Sequence, residues 1–293
     1  MSRRVFPTLA PLATLHETKR GRALPLPPRL SRLYGRMRMP PARARPHVIS
    51  NFATTLDGVV SLNVKGHKSG GDISGFSAQD RMVMGLLRAI ADAVVIGTGT
   101  LAVDRNHLWT AEDIFPRFGD EYRRLRAALG KRGPPLNAVV SGSGRLDLRL
   151  PIFSSGKVPA LIVTTAAGAR ELRKQRVPDS VEICAVPGRS TSATRDGAGA
   201  IRARSVIDAV CRASAGKLIL VEGGPQLLGA FYAERLLDEQ FLTLSPQLAG
   251  RGAEVERISL VMGQTFAPRN PLWGTLVDLR RGRSHLFLRY AFP

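Results

Sequence analysis

The fold of this chain is decided by one stretch, Lys217-Leu218-Ile219-Leu220-Val221-Glu222-Gly223-Gly224-Pro225-Gln226-Leu227-Leu228. The apolar run from Leu218 to Val221 predicts a short strand that is covered on both faces of a sheet. Gly223 and Gly224 allow a sharp turn with no side chain above the backbone. Pro225 then occupies the first position of a helix, where proline is favoured. The stretch therefore predicts a buried strand, a tight turn and a helix.

The beginning of that helix is a candidate anion site. The first N–H groups of a helix have no acceptor within it, and the positive end of the helix dipole lies beside them. Gly223, Gly224, Pro225, Gln226 and Leu227 could therefore hold the pyrophosphate of a dinucleotide. The alternative is an ordinary joint between a strand and a helix, because glycine turns at such joints are common.

The positive charge of the chain is unevenly distributed. The chain has 293 residues and a net charge of +20, and residues 1–45 hold eleven Lys or Arg residues against a single Glu. This Pro- and Arg-rich segment predicts a partly disordered basic arm, whereas residues 46–293 predict the folded domain. Export through a twin-arginine signal is not favoured, because Pro7 and Pro11 interrupt the apolar stretch that follows Arg3-Arg4.

A basic balance suits two kinds of ligand, nucleic acids and phosphorylated small molecules. Nucleic acid is the weaker interpretation, because aromatic residues make up only 6% of the chain and form no stripe interleaved with basic ones. Cys184 and Cys211 are not in a CxxC pair, so we expect reduced thiols and a cytoplasmic protein. His107 has no second ligand at metal spacing, so no metal is expected, and no apolar run is long enough to span a membrane.

Strand-like and helix-like patterns alternate through most of the chain. Strands are predicted at 47–53, 92–97, 136–141, 160–165, 181–186 and 218–221, and helices between them at 77–90, 120–129, 169–175 and 205–213. After residue 237 the pattern changes to strands at 239–245, 257–262, 275–280 and 284–291. This order predicts an α/β fold with a mostly parallel central sheet flanked by helices and with antiparallel C-terminal strands. Ligands should bind at the carboxyl ends of the parallel strands, where loops 54–58, 97–104 and 222–225 would meet.

Three motifs occur in a fixed order along the chain. They are Thr55-Leu56-Asp57-Gly58, then Asp92-Ala93-Val94-Val95-Ile96-Gly97-Thr98-Gly99-Thr100 followed by Asp104, and finally Val221-Glu222-Gly223-Gly224. Their order and spacing resemble the riboflavin-pathway pyrimidine reductases, which are the reductase halves of bacterial deaminase–reductases and their free-standing archaeal relatives. The resemblance extends from about His47 to about Gly252 and implies a dihydrofolate-reductase-like fold.

The resemblance also implies an activity and a set of site residues. The activity is an NADPH-dependent reduction of a ribosylamino-pyrimidine 5′-phosphate to its ribitylamino form, with hydride passing to C1′ of the sugar, in a homodimer. Asp104 and Glu222 would be the polar groups nearest the reacting sugar. The substrate would be met by Asn51, Thr55, Asp57 and Arg88. The cofactor would be met by Gly97, Thr98, Thr100, Ser141, Ser143, Gly223, Gly224, Pro225, Gln226 and Leu227, with Ser141, Ser143 or Arg145 at the 2′-phosphate.

Several of these residues have a simpler structural interpretation. Asp57 in an Asp-Gly pair is commonly a turn residue, and Asp104 could merely cap a helix. Arg88 could be solvated on a helix surface, and Ser141 and Ser143 could belong to a plain loop. By contrast, a carboxylate at the end of an apolar strand, such as Glu222, needs a partner, which favours a role in a site.

The chain also departs from the family that it resembles. The zinc-binding deaminase half is missing, which excludes deamination. Asn51 and Ala111 stand where the bacterial enzymes carry a lysine and an arginine that meet the substrate. These departures leave a second interpretation open, a reductase of the same fold that acts on another pterin-like, carbonyl or imine substrate.

Overall fold

The computed structural model describes residues 8–41, 43–189, 200–214 and 216–293. The Arg3-Arg4 pair that was considered as an export signal lies outside the described residues.

The secondary structure follows the alternation that the sequence predicts. The strands are β1 (Ala13–Glu17), β2 (Arg22–Ala23), β3 (Arg38–Met39), β4 (His47–Thr54), β5 (Val59–Ser61), β6 (Ala93–Gly97), β7 (Leu136–Ser141), β8 (Ala160–Thr164), β9 (Val181–Ala185), β10 (Gly188–Arg189), β11 (Ala200–Ile201), β12 (Leu218–Val221), β13 (Glu239–Leu244), β14 (Ile258–Ser259), β15 (Thr275–Gly282) and β16 (His285–Ala291). The helices are α1 (Pro28–Tyr34), α2 (Gly70–Ser74), α3 (Ala78–Ile90), α4 (Thr98–Val103), α5 (Ala111–Ile114), α6 (Gly119–Ala128), α7 (Pro151–Ser154), α8 (Ala166–Leu172), α9 (Ala203–Ala213) and α10 (Pro225–Ala233), with a 3-10 turn at Pro116–Phe118.

A ten-stranded sheet forms the centre of the molecule, in the order β1-β15-β16-β13-β4-β12-β6-β7-β8-β9. The strands from β13 to β9 pair in parallel. Strands β16, β15 and β1 extend the sheet beyond β13 through antiparallel pairs. The predicted α/β fold, with a mostly parallel sheet and antiparallel C-terminal strands, is therefore confirmed.

Strand β12 is buried on both faces, as its apolar run predicts. Leu220 belongs to the hydrophobic cluster under α3 and α6. Ile219 and Val221 belong to the opposite cluster, together with residues of α9 and α10. This division follows from the two-residue repeat of a strand, which sends successive side chains to opposite faces. Glu222, one residue after Val221, consequently returns to the α3 side of the sheet.

The segment before residue 46 is part of the folded body, so the expectation of a partly disordered arm does not hold for residues 8–41. Strand β1 pairs with β15 and forms one edge of the main sheet. Leu30, Tyr34 and Met37 are at most 3% exposed and belong to the core under α3. Burial is the main cause that raises the pKa of Tyr34 to about 12. The Pro- and Arg-rich composition concealed these few apolar anchors, which follow a proline at the first turn of α1.

A buried arginine fastens this segment to the C-terminal hairpin. Arg280 is fully buried and donates to Thr14 Oγ1 at 2.8 Å, to the carbonyl oxygen of Tyr34 and to that of Arg36 at 2.7 Å. The same guanidinium pairs with Asp278 Oδ2 at 2.7 Å. A guanidinium can satisfy this many acceptors at once because it carries five N–H donors in a fixed plane. Part of the high arginine content therefore serves the fold.

Candidate functional site

The three loops that the sequence predicts to meet leave the sheet at the same end, although β4 continues to Thr54 beyond its pairing with β12. Strand β12 runs between β4 and β6, and Val221 is in register with Ser50 on one side and Val95 on the other. Because the three strands are parallel, the loops that follow them leave the same edge of the sheet.

Thr100, on the first turn of α4, connects the glycine turn to Asp104. The Gly224 N–H donates to Thr100 Oγ1 at 3.2 Å, and the Asp104 N–H donates to the Thr100 carbonyl oxygen at 3.1 Å. A Cβ atom on Gly223 would lie only 2.3 Å from Thr100 Oγ1, so this position requires glycine. The glycine turn is therefore held against α4, the helix that Asp104 ends.

Gly97 and Thr98 lie on the opposite side of the same contact. Gly97 precedes α4 as its N-cap residue, and a Cβ atom on it would be 3.9 Å from the Gly223 carbonyl oxygen. Thr98 is exposed on the first turn of the helix. Gly97 is thus adjacent to the turn after β12, and Thr98 follows it as an exposed residue of α4.

The beginning of α10 offers amide donors for an anion. Gly224 is the N-cap residue, with φ +22° and no side-chain cap, and Pro225 occupies the first turn. No atom lies within 4 Å of the Cβ position of Gly224, and Gln226 is exposed. The N–H groups of Gln226 and Leu227 have no intrahelical acceptor because of their position, whereas the Leu227 side chain packs onto the core. This open glycine surface fits a pyrophosphate, with one change from the prediction: the Gly224 amide is already engaged by Thr100.

Arg88 and Glu222 form a buried ion pair on the α3 side of the sheet. Arg88 Nε and Nη2 lie 2.8 and 2.7 Å from Glu222 Oε2, and the two side chains are 3% and 4% exposed. The other oxygen, Glu222 Oε1, is buried and has no hydrogen-bond partner among the described residues. Arg88 is therefore not a solvated surface residue, and the prediction that Glu222 needs a partner is confirmed.

His107 and Asp113 extend this pair, which no motif in the sequence predicts. Arg88 Nη1 lies 2.7 Å from His107 Nε2, and His107 Nδ1 lies 2.8 Å from Asp113 Oδ2. His107 was considered only as a metal ligand. The available signal was its position three residues after Asp104 in the second motif, but nothing in the sequence identified Arg88 as its partner.

Asp104 ends α4 beside these groups. It is half-buried, and desolvation raises the pKa of its carboxyl group, against the charge of Arg88 and that of His107 when its ring is protonated. The charge of Asp72, on α2, adds to the upward shift. A carboxyl group with a raised pKa retains its proton at higher pH, which suits a proton donor.

Asp57 and Thr55 hold a second loop at this edge. The Asp57 carboxylate accepts from Thr55 Oγ1 at 2.6 Å, from the Ala249 N–H at 3.1 Å and from the Gly250 N–H at 2.9 Å. These hydrogen bonds, the one from Thr55 first, lower the pKa of Asp57 to about 2. Because both carboxylate oxygens are occupied, the two residues shape the loop around the site rather than present free groups to a ligand.

Ser141 and Ser143 lie in the turn after β7. Ser141 is buried and its Oγ accepts from the Gly144 N–H at 3.1 Å, while Ser143 Oγ accepts from the Arg145 N–H at 3.4 Å. The turn rests against α8, since a Cβ atom on Gly144 would lie 2.1 Å from the Gly168 carbonyl oxygen. The turn is therefore closed by its own contacts, with the Arg145 side chain exposed beside it.

Asn51 lies in β4 and is 6% exposed. It lines a cavity of about 10 Å³ together with Tyr34 of α1 and Val83 of α3. A space of that size holds about one water molecule. The cavity beside Asn51 is therefore too small for the substrate that Asn51 is predicted to contact.

Neither a metal-binding cluster nor a membrane-spanning helix occurs in the part of the chain that the structure describes. It contains no group of three or more His, Cys, Asp or Glu side chains that could hold a metal ion. None of its helices is both long and apolar enough to cross a bilayer.

The chain is similar to known reductases in sequence and in structure. The family model of the RibD C-terminal domain matches residues 46–266. A protein of Archaeoglobus fulgidus named 2,5-diamino-6-ribosylamino-4(3H)-pyrimidinone 5′-phosphate reductase is 24% identical over 206 residues, which cover 70% of this chain and 83% of the relative. The riboflavin biosynthesis protein RibD of Chlamydia trachomatis is 28% identical over 210 residues, 71% of this chain but only 48% of that protein.

A solved structure shows the same fold. The crystal structure of a pyrimidine reductase-like protein from Corynebacterium diphtheriae superposes with a TM-score of 0.63 at 22% identity. The match covers 85% of this chain and 92% of that one.

Proposed function

The chain belongs to the RibD C-terminal domain family, and on that premise we propose that it is an NADPH-dependent reductase. The reaction proposed is the reduction of a ribosylamino-pyrimidine 5′-phosphate to its ribitylamino form in riboflavin biosynthesis. The archaeal relative is named for this class of substrate, which supports the assignment. The observation that carries the proposal is the contact of the Gly224 N–H with Thr100 Oγ1, which holds the glycine turn against the helix that ends at Asp104.

The residues divide into two groups by what they would hold. The first turn of α10 would bind the pyrophosphate through the Gln226 and Leu227 amides, with Gly97 and Thr98 beside it. Ser143 and Arg145, after β7, would meet the 2′-phosphate. When bound, NADPH supplies the hydride for reduction at C1′.

The remaining chemistry belongs to side chains at the sheet edge. Besides a hydride, the reduction consumes one proton, which Asp104 would deliver because burial keeps its carboxyl group protonated to higher pH. Glu222, fixed by Arg88, would orient the sugar. Thr55 and Asp57 would set the shape of the substrate side through the loop at 249–250.

A second candidate function is favoured by the two departures from the bacterial enzymes. Asn51 and Ala111 carry no basic group, and both are buried, so neither position offers a positive charge to a substrate phosphate. The same fold could therefore serve another pterin-like, carbonyl or imine substrate with NADPH.

Turnover separates the two candidates. Purified full-length protein is mixed with NADPH and either 2,5-diamino-6-ribosylamino-4(3H)-pyrimidinone 5′-phosphate or its deaminated uracil counterpart, and loss of reduced nicotinamide absorbance is followed. Turnover of either compound supports the riboflavin-pathway assignment. If the protein binds NADPH but turns over neither compound, the second candidate is favoured.

Cofactor identity has its own measurement. A ligand present at about a hundred times its dissociation constant stabilises the folded state by about 2.7 kcal/mol, so NADPH should raise the melting temperature clearly and NADH at the same concentration less. Equal shifts for both would exclude a 2′-phosphate site at Ser143 and Arg145.

We also propose a cytoplasmic homodimer. Both cysteines of the chain, Cys184 and Cys211, are free thiols, which agrees with a reducing compartment. Light scattering at a series of protein concentrations would test the dimer, and a constant monomer mass would exclude it.

A further inference from the structure

His107 bridges two charged groups that come from different helices. Its Nε2 lies 2.7 Å from Nη1 of Arg88, on α3, and its Nδ1 lies 2.8 Å from Oδ2 of Asp113, on α5. A guanidinium carries only donors, so His107 Nε2 must accept and cannot carry a proton in this arrangement. Asp113 then accepts from the Nδ1–H group. The partners therefore define a neutral imidazole with its proton on Nδ1.

The surroundings hold the ring in this orientation. The backbone N–H of His107 donates to the Asp104 carbonyl oxygen at 3.0 Å. The His107 ring packs edge-on against Trp109, with the ring centroids 5.3 Å apart. Asp113 Oδ2 also accepts from the Leu108 N–H at 3.1 Å. Arg88 Nη1 donates in addition to the Thr110 carbonyl oxygen at 3.2 Å. The four-residue chain Glu222–Arg88–His107–Asp113 is thus fixed along its whole length.

We propose that His107 and Asp113 are positioning residues that hold Arg88 on Glu222, and that the neutral form of His107 is required for a competent site. This inference rests on the proposed reductase function for its kinetic test only. Protonation of His107 would turn its Nε2 into a donor that faces another donor and would place two positive charges side by side. Arg88 would leave that contact, and Glu222 would lose its fixed orientation.

The charges around His107 act in opposite directions. Arg88 from α3 brings a positive charge to one side of the ring, whereas Asp113 from α5 brings a negative charge to the other, and Asp104 at the end of α4 is hydrogen-bonded to the His107 backbone. Glu222, after β12, acts through Arg88. Replacing Asp113 with a neutral residue removes the negative charge beside the ring, so the acid limb of activity should move to lower pH.

The kinetic test compares pH profiles of kcat/KM with NADPH and the ribosylamino-pyrimidine phosphate. Wild type should lose activity by about tenfold per pH unit below the titration of one group. Asp113→Asn should retain activity at an acid pH at which wild type has lost it. His107→Gln keeps an acceptor for Arg88 and does not titrate, so the acid limb should disappear while kcat/KM near pH 7 changes little.

Two more variants separate positioning from folding. His107→Leu removes the acceptor and should lower kcat/KM by about tenfold to a hundredfold at every pH, the usual cost of a lost hydrogen bond to a charged group. Glu112→Gln lies on the same short helix as Asp113 and pairs only weakly, at 3.9 Å from Arg123. It should leave the pH profile unchanged. A wild-type acid limb in Asp113→Asn or in His107→Gln would overturn the proposal.

A measurement without substrate keeps this inference independent of the proposed function. The His107 resonances in nitrogen-15 spectra are those that disappear in His107→Gln. Near pH 7 they should show the Nδ1–H tautomer. The Arg88 Nε–H signal should shift as His107 titrates. A proton on His107 Nε2 near neutral pH would refute the positioning role, and so would an Arg88 Nε–H chemical shift that stays constant over the same pH range. Either result would do so even if the enzyme reduces its substrate.

Discussion

Replacement of Gly223 by alanine should damage the cofactor site specifically. The new Cβ atom would lie 2.3 Å from Oγ1, 2.7 Å from Cβ and 2.9 Å from Cγ2 of Thr100. Thr100 cannot turn aside freely, because its hydroxyl oxygen accepts from the Gly224 N–H. Either Thr100 rotates and this hydrogen bond is lost, or the glycine turn moves away from α4.

The magnitude follows from these two alternatives. Overpacking of this kind costs about 1–3 kcal/mol, and the hydrogen bond contributes about 1 kcal/mol. We expect the free energy of unfolding to fall by about 2 kcal/mol. If the movement of the α10 amides lowers the free energy of NADPH binding by about 1.4 kcal/mol or more, NADPH affinity falls at least about tenfold.

The assay is NADPH titration by calorimetry, together with urea unfolding of the free protein. Gly99→Ala is the matched control, since Gly99 lies on α4 beside Thr100 and its Cβ position meets no atom within 4 Å. It should bind NADPH like wild type. Thr100→Gly in the Gly223→Ala background removes the clash and should restore part of the affinity. Equal NADPH affinity of Gly223→Ala and Gly99→Ala would refute the assignment of this turn to the cofactor.

Three further substitutions test other parts of the molecule. Arg280→Met leaves Asp278 buried without its partner and should lower the free energy of unfolding by about 3–5 kcal/mol, as measured by urea unfolding. Adding Asp278→Leu should recover only part of the loss, because the acceptors at Thr14, Tyr34 and Arg36 remain without the guanidinium. Asp57 has a pKa lowered to about 2, so the stability that its carboxylate contributes is present above its ordinary pKa of about 3.8 and is lost as the pH falls toward 2. The difference in urea midpoint between wild type and Asp57→Asn should accordingly narrow between about pH 6 and about pH 3. A constant difference would show that the Asp57 carboxylate does not stabilise the folded state. Asp104→Asn should reduce kcat by about a hundredfold or more with NADPH affinity retained, and it should raise the melting temperature at neutral pH, because burial disfavours the carboxylate form that it removes; unchanged kcat would exclude Asp104 as the proton donor.

The sequence alone determined the elements and the edge of the sheet at which they meet. The run from Leu218 to Val221 specified a buried strand, and Gly223, Gly224 and Pro225 specified the turn and the start of α10. These signals are local: burial on both faces, a tight turn and a favoured proline position each depend on residues that are neighbours in sequence. For the same reason the composition of this basic segment does not reveal the structure of residues 8–41, since composition is local but the partners of these residues are distant in sequence.

Only the tertiary structure decided which side chains work together. Arg88 and Glu222 are separated by 134 positions, and Arg280 and Thr14 by 266. No periodicity connects residues so far apart; their contact arises when β12 is placed between β4 and β6 and when β1 joins β15. The proposed positioning role of His107 likewise depends on the tertiary structure. The tautomer of an imidazole is set by the donors and acceptors that other elements bring to its two nitrogens.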